Sequence, residues 1–210
     1  MNAIRRFLVV LIASAGLAGA TDALANLEED GTPFIGSLGT RAIAVFADDS
    51  TSRQEKAERF NDLFHEGFAV KSLAVFTLGR YRERADAAFL EDYVDAFADY
   101  IVLTYSARFT SFSGETFEVT GSRPDTDGNG TVAGAWIQSV IRTPGGNPIR
   151  VDWRLRELRG EPIIVDVFVE GVSMAITQQK EFISVIANNG GDVTALLDII
   201  REKNAELLAD

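Results

Sequence analysis

Between Pro33 and Phe109 apolar residues recur with helical spacing, and from Glu115 to Glu170 the period changes to two, so a helical half is followed by a sheet. Ser52, with Glu55 three positions later, has the spacing of a capping box. Behind it Phe60, Leu63, Phe64 and Phe68 share one helical face. A short helix is expected over Lys71 to Leu78, ended by Gly79. The longest helix is expected from Asp86 to near Tyr105. There Phe89, Tyr93, Phe97, Tyr100 and Thr104 recur at i+3 and i+4, while Asp92, Asp95 and Asp99 mark the wet side.

In the second half Phe117 and Val119 alternate with polar neighbours. Ile149, Val151, Trp153 and Leu155 alternate with Arg150, Asp152, Arg154 and Arg156, the pattern of a half-buried strand, and Ile163, Val165, Val167 and Val169 repeat it. Turn residues separate the runs at Pro144 to Pro148 and at Arg159-Gly160. Four antiparallel strands in sequence predict a meander with one apolar face. Two helices follow, Ser173 to Ala187 and Val193 to Leu208, parted by Asn188 to Gly191. The expected fold is α+β: one domain, its helices packed on a strongly bent antiparallel four-stranded sheet. Periodicity does not distinguish a solid interior, the usual outcome, from a hollow one.

Composition narrows the chemistry. The 210 residues include no cysteine, which excludes disulfides, thiolate catalysis, cysteine-ligated metal and a lipoprotein anchor. A formal charge of -11 disfavours nucleic acid and suits a basic partner face. Arg5 and Arg6, the apolar run Phe7 to Leu17, and the small-x-small sites Ala18-Gly19-Ala20 and Ala23-Leu24-Ala25 read as an export signal over residues 1–25. The run is short for a membrane span, so cleavage is expected, leaving a domain of residues 26–210.

Motifs for catalysis fail on inspection. His65 is the single histidine, and one histidine makes neither a metal site nor a recognisable triad. Gly171-Val172-Ser173-Met174-Ala175 follows a strand like a hydrolase elbow, but Ala175 replaces the second glycine and no histidine lies downstream. Ser173 is better read as a helix N-cap. Asp125, Asp127 and Asn129, with Gly130, match the first half of a calcium loop, but Trp136 holds the place of its bidentate carboxylate. A hairpin turn is the expected use. Arg142, Arg150, Arg154, Arg156 and Arg159 gather positive charge on one hairpin, either a solvated face or a contact for phosphate headgroups or an acidic partner. No catalytic residue, metal or cofactor is expected.

Three stretches carry a resemblance: Val151 to Arg156, Ile163 to Ser173 and Gln178 to Phe182, with Leu78-Gly79-Arg80-Tyr81 and the aromatic helix upstream. They resemble the MlaC-like family of periplasmic phospholipid-binding proteins, of the Mla and toluene-tolerance transport systems, over about Ala42 to Lys203. The loop Gly121 to Gly130 departs from the family pattern. The resemblance implies an NTF2-like cone with an apolar pocket for phospholipid tails, the headgroup staying outside. It implies exchange of diacyl phospholipid with a hexameric inner-membrane ABC transporter complex and an outer-membrane lipoprotein–porin complex. The carrier is expected in the periplasm as a monomer, maintaining outer-membrane lipid asymmetry, with no nucleic-acid partner.

A pocket for two tails must lie at or above the usual ligand-pocket range, roughly 1,000 Å³. Its expected lining from the helices is Phe76, Tyr81, Phe97, Tyr100, Ile101 and Met174. From the strands it is Val140, Val151, Trp153, Val165 and Val167. Two alternatives remain: an NTF2-like enzyme using Asp166, Asp152 or His65 on a small apolar substrate, and an envelope interaction module without ligand.

Overall fold

The computed structural model describes residues 19–109 and 114–209, with side chains from Leu27 onward except 108 and 109. Most of the expected export signal, residues 1–18, lies outside them. The first helix, α1, runs over Gly19–Ala47 and is the longest at 29 residues, displacing the aromatic helix from that rank. Helix α2 spans Arg53–Gly67, and its Ser52–Glu55 capping box forms in both directions. Helix α3, Val70–Thr77, ends where Gly79 begins a short 3-10 helix over Gly79–Arg84. Helix α4 covers Ala87–Phe109.

The sheet follows as β1 Thr116–Thr126, β2 Val132–Arg142, β3 Ile149–Leu158, β4 Glu161–Val169 and a two-residue β5 Val172–Ser173, all antiparallel in sequence order. The short β5 adds a fifth strand to the four expected. Turns at Arg159-Gly160 and Glu170-Gly171 have positive φ at both residues, the twist that two-residue hairpins need. Helices α5, Met174–Asn188, and α6, Val193–Ala209, close the chain. Among the described residues no helix is long and apolar enough to cross a membrane.

Two bulges shape the inner face. Val119 pairs with Ser139 and Gly121 with Gln138, leaving Thr120 extra, and Arg154 pairs with Asp166 but Leu155 with Ile164, leaving Val165 extra. A bulge bends its strand and shifts the alternation of side chains beyond it. The expected Ile163–Val165–Val167–Val169 stripe is therefore broken. Ile164, wholly buried, takes the inward position before the bulge, and Val167 takes it after.

Apolar side chains settle into two cores. One is helical, built from α2 to α6 around Phe97, Tyr93, Leu78, Phe182, Ile186 and Leu196. The other joins α1 to the sheet through Leu27, Ile35, Leu38, Ile137, Leu155 and Ile164. Contact between α1 and the sheet is close: a Cβ on Gly39 would lie 2.4 Å from the Phe117 ring. The strands are equally tight at Gly134, where a Cβ would meet the Leu155 carbonyl oxygen at 2.2 Å. That neighbour is backbone and cannot swing away. Gly134→Ala should therefore cost at least about 2 kcal/mol, read as a lower urea midpoint with an unchanged slope.

Candidate functional site

The two cores meet at Phe60 and Phe68, which pack against both, but do not close along their whole length. Between them lies an apolar cavity of about 440 Å³. Helix α1 supplies Gly39, Ala42, Ile43 and Phe46, and the α2 face supplies Phe60, Phe64 and, just beyond the helix, Phe68. Across from them stand Phe117, Ile141, Val151, Trp153, Val167 and Val169 of the sheet. Phe97 and Ile101 of α4 and Met174 of α5 complete much of the wall. Phe46, Phe64, Phe97 and Val151 are buried, whereas Ile149 is 38% exposed and Glu115, Thr143 and Gln178 are half-buried. The cavity opens beside Ile149, the most exposed of its lining residues.

Of the expected lining residues, Phe97, Ile101, Val151, Trp153, Val167 and Met174 meet around the cavity. The other five do not line it. Phe76 is 44% exposed at the end of α3, where its carbonyl accepts from Gln179. Tyr81 is buried in the helical core beneath Arg80 and Arg84, whose guanidinium groups lie over its ring. Tyr100 packs against Phe182 in the same core, with ring centroids 5.8 Å apart. Val140 has the opposite parity to Ile141, which reaches the cavity. Val165 is the residue extruded by the bulge. Missing from the expected lining were α1 and the phenylalanines of α2, which their periodicity marks only as an apolar face.

Polar groups near the cavity are satisfied elsewhere. Trp153 Nε1–H donates to Ser139 Oγ at 2.9 Å, and that hydroxyl donates to the Val151 carbonyl at 2.9 Å. The Thr77 hydroxyl bonds with the Tyr93 hydroxyl at 2.7 Å, and burial pushes the Tyr93 phenol far above its ordinary range. Asp166 is the buried carboxylate of the wall, the group an acid–base enzyme would need. Its oxygens accept from Ser173 Oγ at 2.6 Å and from the amides of Val167 and Ala175 at 2.8 and 3.1 Å. Ser173 Oγ in turn caps the Ile176 amide. Asp166 and Ser173 thus hold the start of α5, where a negative charge also meets the helix dipole favourably. His65 is exposed and Asp152 does not line the cavity. No three potential metal ligands gather among the described residues.

A family model described as MlaC protein matches residues 37–202. Among solved structures, a phospholipid-binding protein from Ralstonia solanacearum, in complex with a phospholipid, superposes with a TM-score of 0.72 at 18% sequence identity. The match covers 85% of this chain and 99% of that one, and at such identity it establishes the shared fold.

On the outer face of the sheet, the arginines are largely engaged by carboxylates. Arg154 Nε and Arg156 Nη1 reach Asp125 Oδ2 at 2.7 and 2.6 Å, and Trp136 Nε1–H donates to Asp125 Oδ1 at 2.9 Å. Arg142 pairs with Glu118 and Arg150 with Glu170. Asp125 is thus turned toward the sheet, while Asp127 accepts from the amides of Asn129 and Thr131 within the hairpin turn. Burial alone would raise the Asp125 carboxyl, but its three donors outweigh that and hold it below the usual carboxylate range. A depressed folded pKa stabilises above the unfolded value and is lost as pH falls through the folded one. Urea unfolding should therefore show stability falling below about pH 4, and Asp125→Asn should flatten that fall while lowering stability at neutral pH.

Proposed function

The chain belongs to the MlaC family, and from that premise we propose that it is a soluble periplasmic carrier of diacyl phospholipid. It carries lipid between the outer membrane and an inner-membrane ABC transporter complex, and so maintains outer-membrane lipid asymmetry. Export by the signal over residues 1–25 brings it to the compartment where the task arises. It acts as a monomer, without catalysis or cofactor, and meets an outer-membrane lipoprotein–porin complex at the other end of its route.

The observation that carries this reading is the apolar cavity between the cores. Moving two acyl chains through water costs on the order of 20 kcal/mol, at about 0.8 kcal/mol per methylene. A carrier removes that barrier by offering an interior close to that of a bilayer, and walls of phenylalanine, valine and isoleucine do so. The shared fold with a lipid-bound Ralstonia protein, which the chain matches over nearly the whole of that protein, supports it further. At about 440 Å³ the cavity lies within the ordinary ligand range but below the roughly 1,000 Å³ expected for two tails.

Native mass spectrometry of protein isolated from the cell envelope, with no lipid added, should find one diacyl phospholipid per chain. Ala42→Trp, which fills the cavity from α1, should lose most of it while retaining a cooperative melt. A wild-type chain that arrives empty, and takes no lipid from phosphatidylethanolamine–phosphatidylglycerol vesicles, removes the reading.

A further inference from the structure

Along three strands of the sheet the hollow gives way to solid core within one or two inward positions. On β3, Trp153 lines it, whereas Leu155, the next inward residue, is wholly buried in that core. On β4 the change falls between Val167 and Ile164, and on β1 between Phe117 and Val119. Three rings span this boundary. Trp153 stands edge-on between Phe68, at 6.4 Å between centroids, and Phe117, at 6.2 Å.

We infer that the Phe68–Trp153–Phe117 row is the stop against which acyl-chain ends abut, and that Trp153, fixed by Ser139, sets the tail length the protein accepts. This rests on the carrier reading above. Ser139 is 1% exposed and lies on the strand beside Trp153. It takes the indole N–H, so the ring cannot rotate out of the row without leaving its polar atom unpaired among apolar groups. Behind the row the interior is closely packed, and tail ends gain no room by pushing past it. A methylene that cannot enter stays nearer water, which lowers affinity about fourfold per carbon.

The test offers delipidated full-length protein an equimolar series of saturated diacyl phosphatidylethanolamines, graded in tail length, in mixed vesicles. Native mass spectrometry reads the bound distribution. The wild type should show a narrow optimum. Trp153→Ala should move it to longer tails, raising the bound ratio of the longest lipid to the wild-type optimum by roughly tenfold or more. Trp153→Phe should shift it less in the same direction, and Ser139→Ala should broaden it in place. Folded variants that bind lipid with the wild-type distribution overturn the stop and leave the carrier standing. A wild type that takes none of the series overturns both.

Discussion

A helical core and a core shared by α1 and the sheet meet at Phe60 and Phe68 and yet have to leave a hollow between them. Close packing is the usual fate of such cores, because every unfilled gap forfeits dispersion contacts. Here large rings project from both sides, Phe60, Phe64 and Phe97 from the helices and Phe117 and Trp153 from the strands. Rigid and flat, they brace one another: Phe64 lies 4.7 Å from Phe68, Phe46 lies 5.3 Å from Phe60, and Trp153 meets Phe68 at 6.4 Å. Were the cavity sealed and dry, 440 Å³ would cost on the order of 10 kcal/mol on the scale of core truncations, as much as a whole domain's stability. The solid core under α1 and the helical core must therefore carry the fold, and a ligand that fills the space stabilises it by mass action.

Keeping the walls apolar is also a matter of where polar atoms are spent. Ser139, Thr77 and Asp166 all lie at or next to the cavity, and each is committed to a partner on the protein. The Asp166–Ser173 pair does double duty, since it starts α5 in the position from which Met174 and Gln178 line the cavity. A buried carboxylate with three donors is a structural fixture. The same residue with free lone pairs would have favoured an enzyme.

Much of this was legible in the sequence, and the failures have particular causes. Ile149 to Leu155 alternate cleanly because their outward neighbours are charged, so Val151 and Trp153 could be placed on the inner face. Strand β2 offers no such contrast: Trp136 and Val140 are apolar on one face, Ile137 and Ile141 on the other, and the parity chosen there was wrong. Val165 failed for a different reason: the extra residue in β4 puts Ile164 instead of Ile163 on the inner face before the bulge, while Val167 and Val169 keep theirs, and it leaves no mark in composition. Tyr81 and Tyr100 show the limit of helical periodicity, which identifies a buried face without saying which of two cores it enters. Helix α1 was the largest omission. Its cavity-facing stretch, Gly39 to Phe46, begins with the small residues Gly39 and Ala42, which carry little hydrophobic signal although they give the helix its close approach to the sheet.

Charge bears on what a carrier of this kind would recognise. The arginines of the β3 region looked like a site for phosphate headgroups, yet Asp125, Glu118 and Glu170 engage four of the five, leaving Arg159 in its turn. The lining residues include no lysine or arginine, and Arg150, 74% exposed, adjoins Ile149 and is paired with Glu170. A net charge of -11 adds repulsion from any anionic surface. On the carrier reading it is the tails that the cavity walls hold, because those walls offer carbon on almost every side. The headgroup, on the same reading, stays in water outside them.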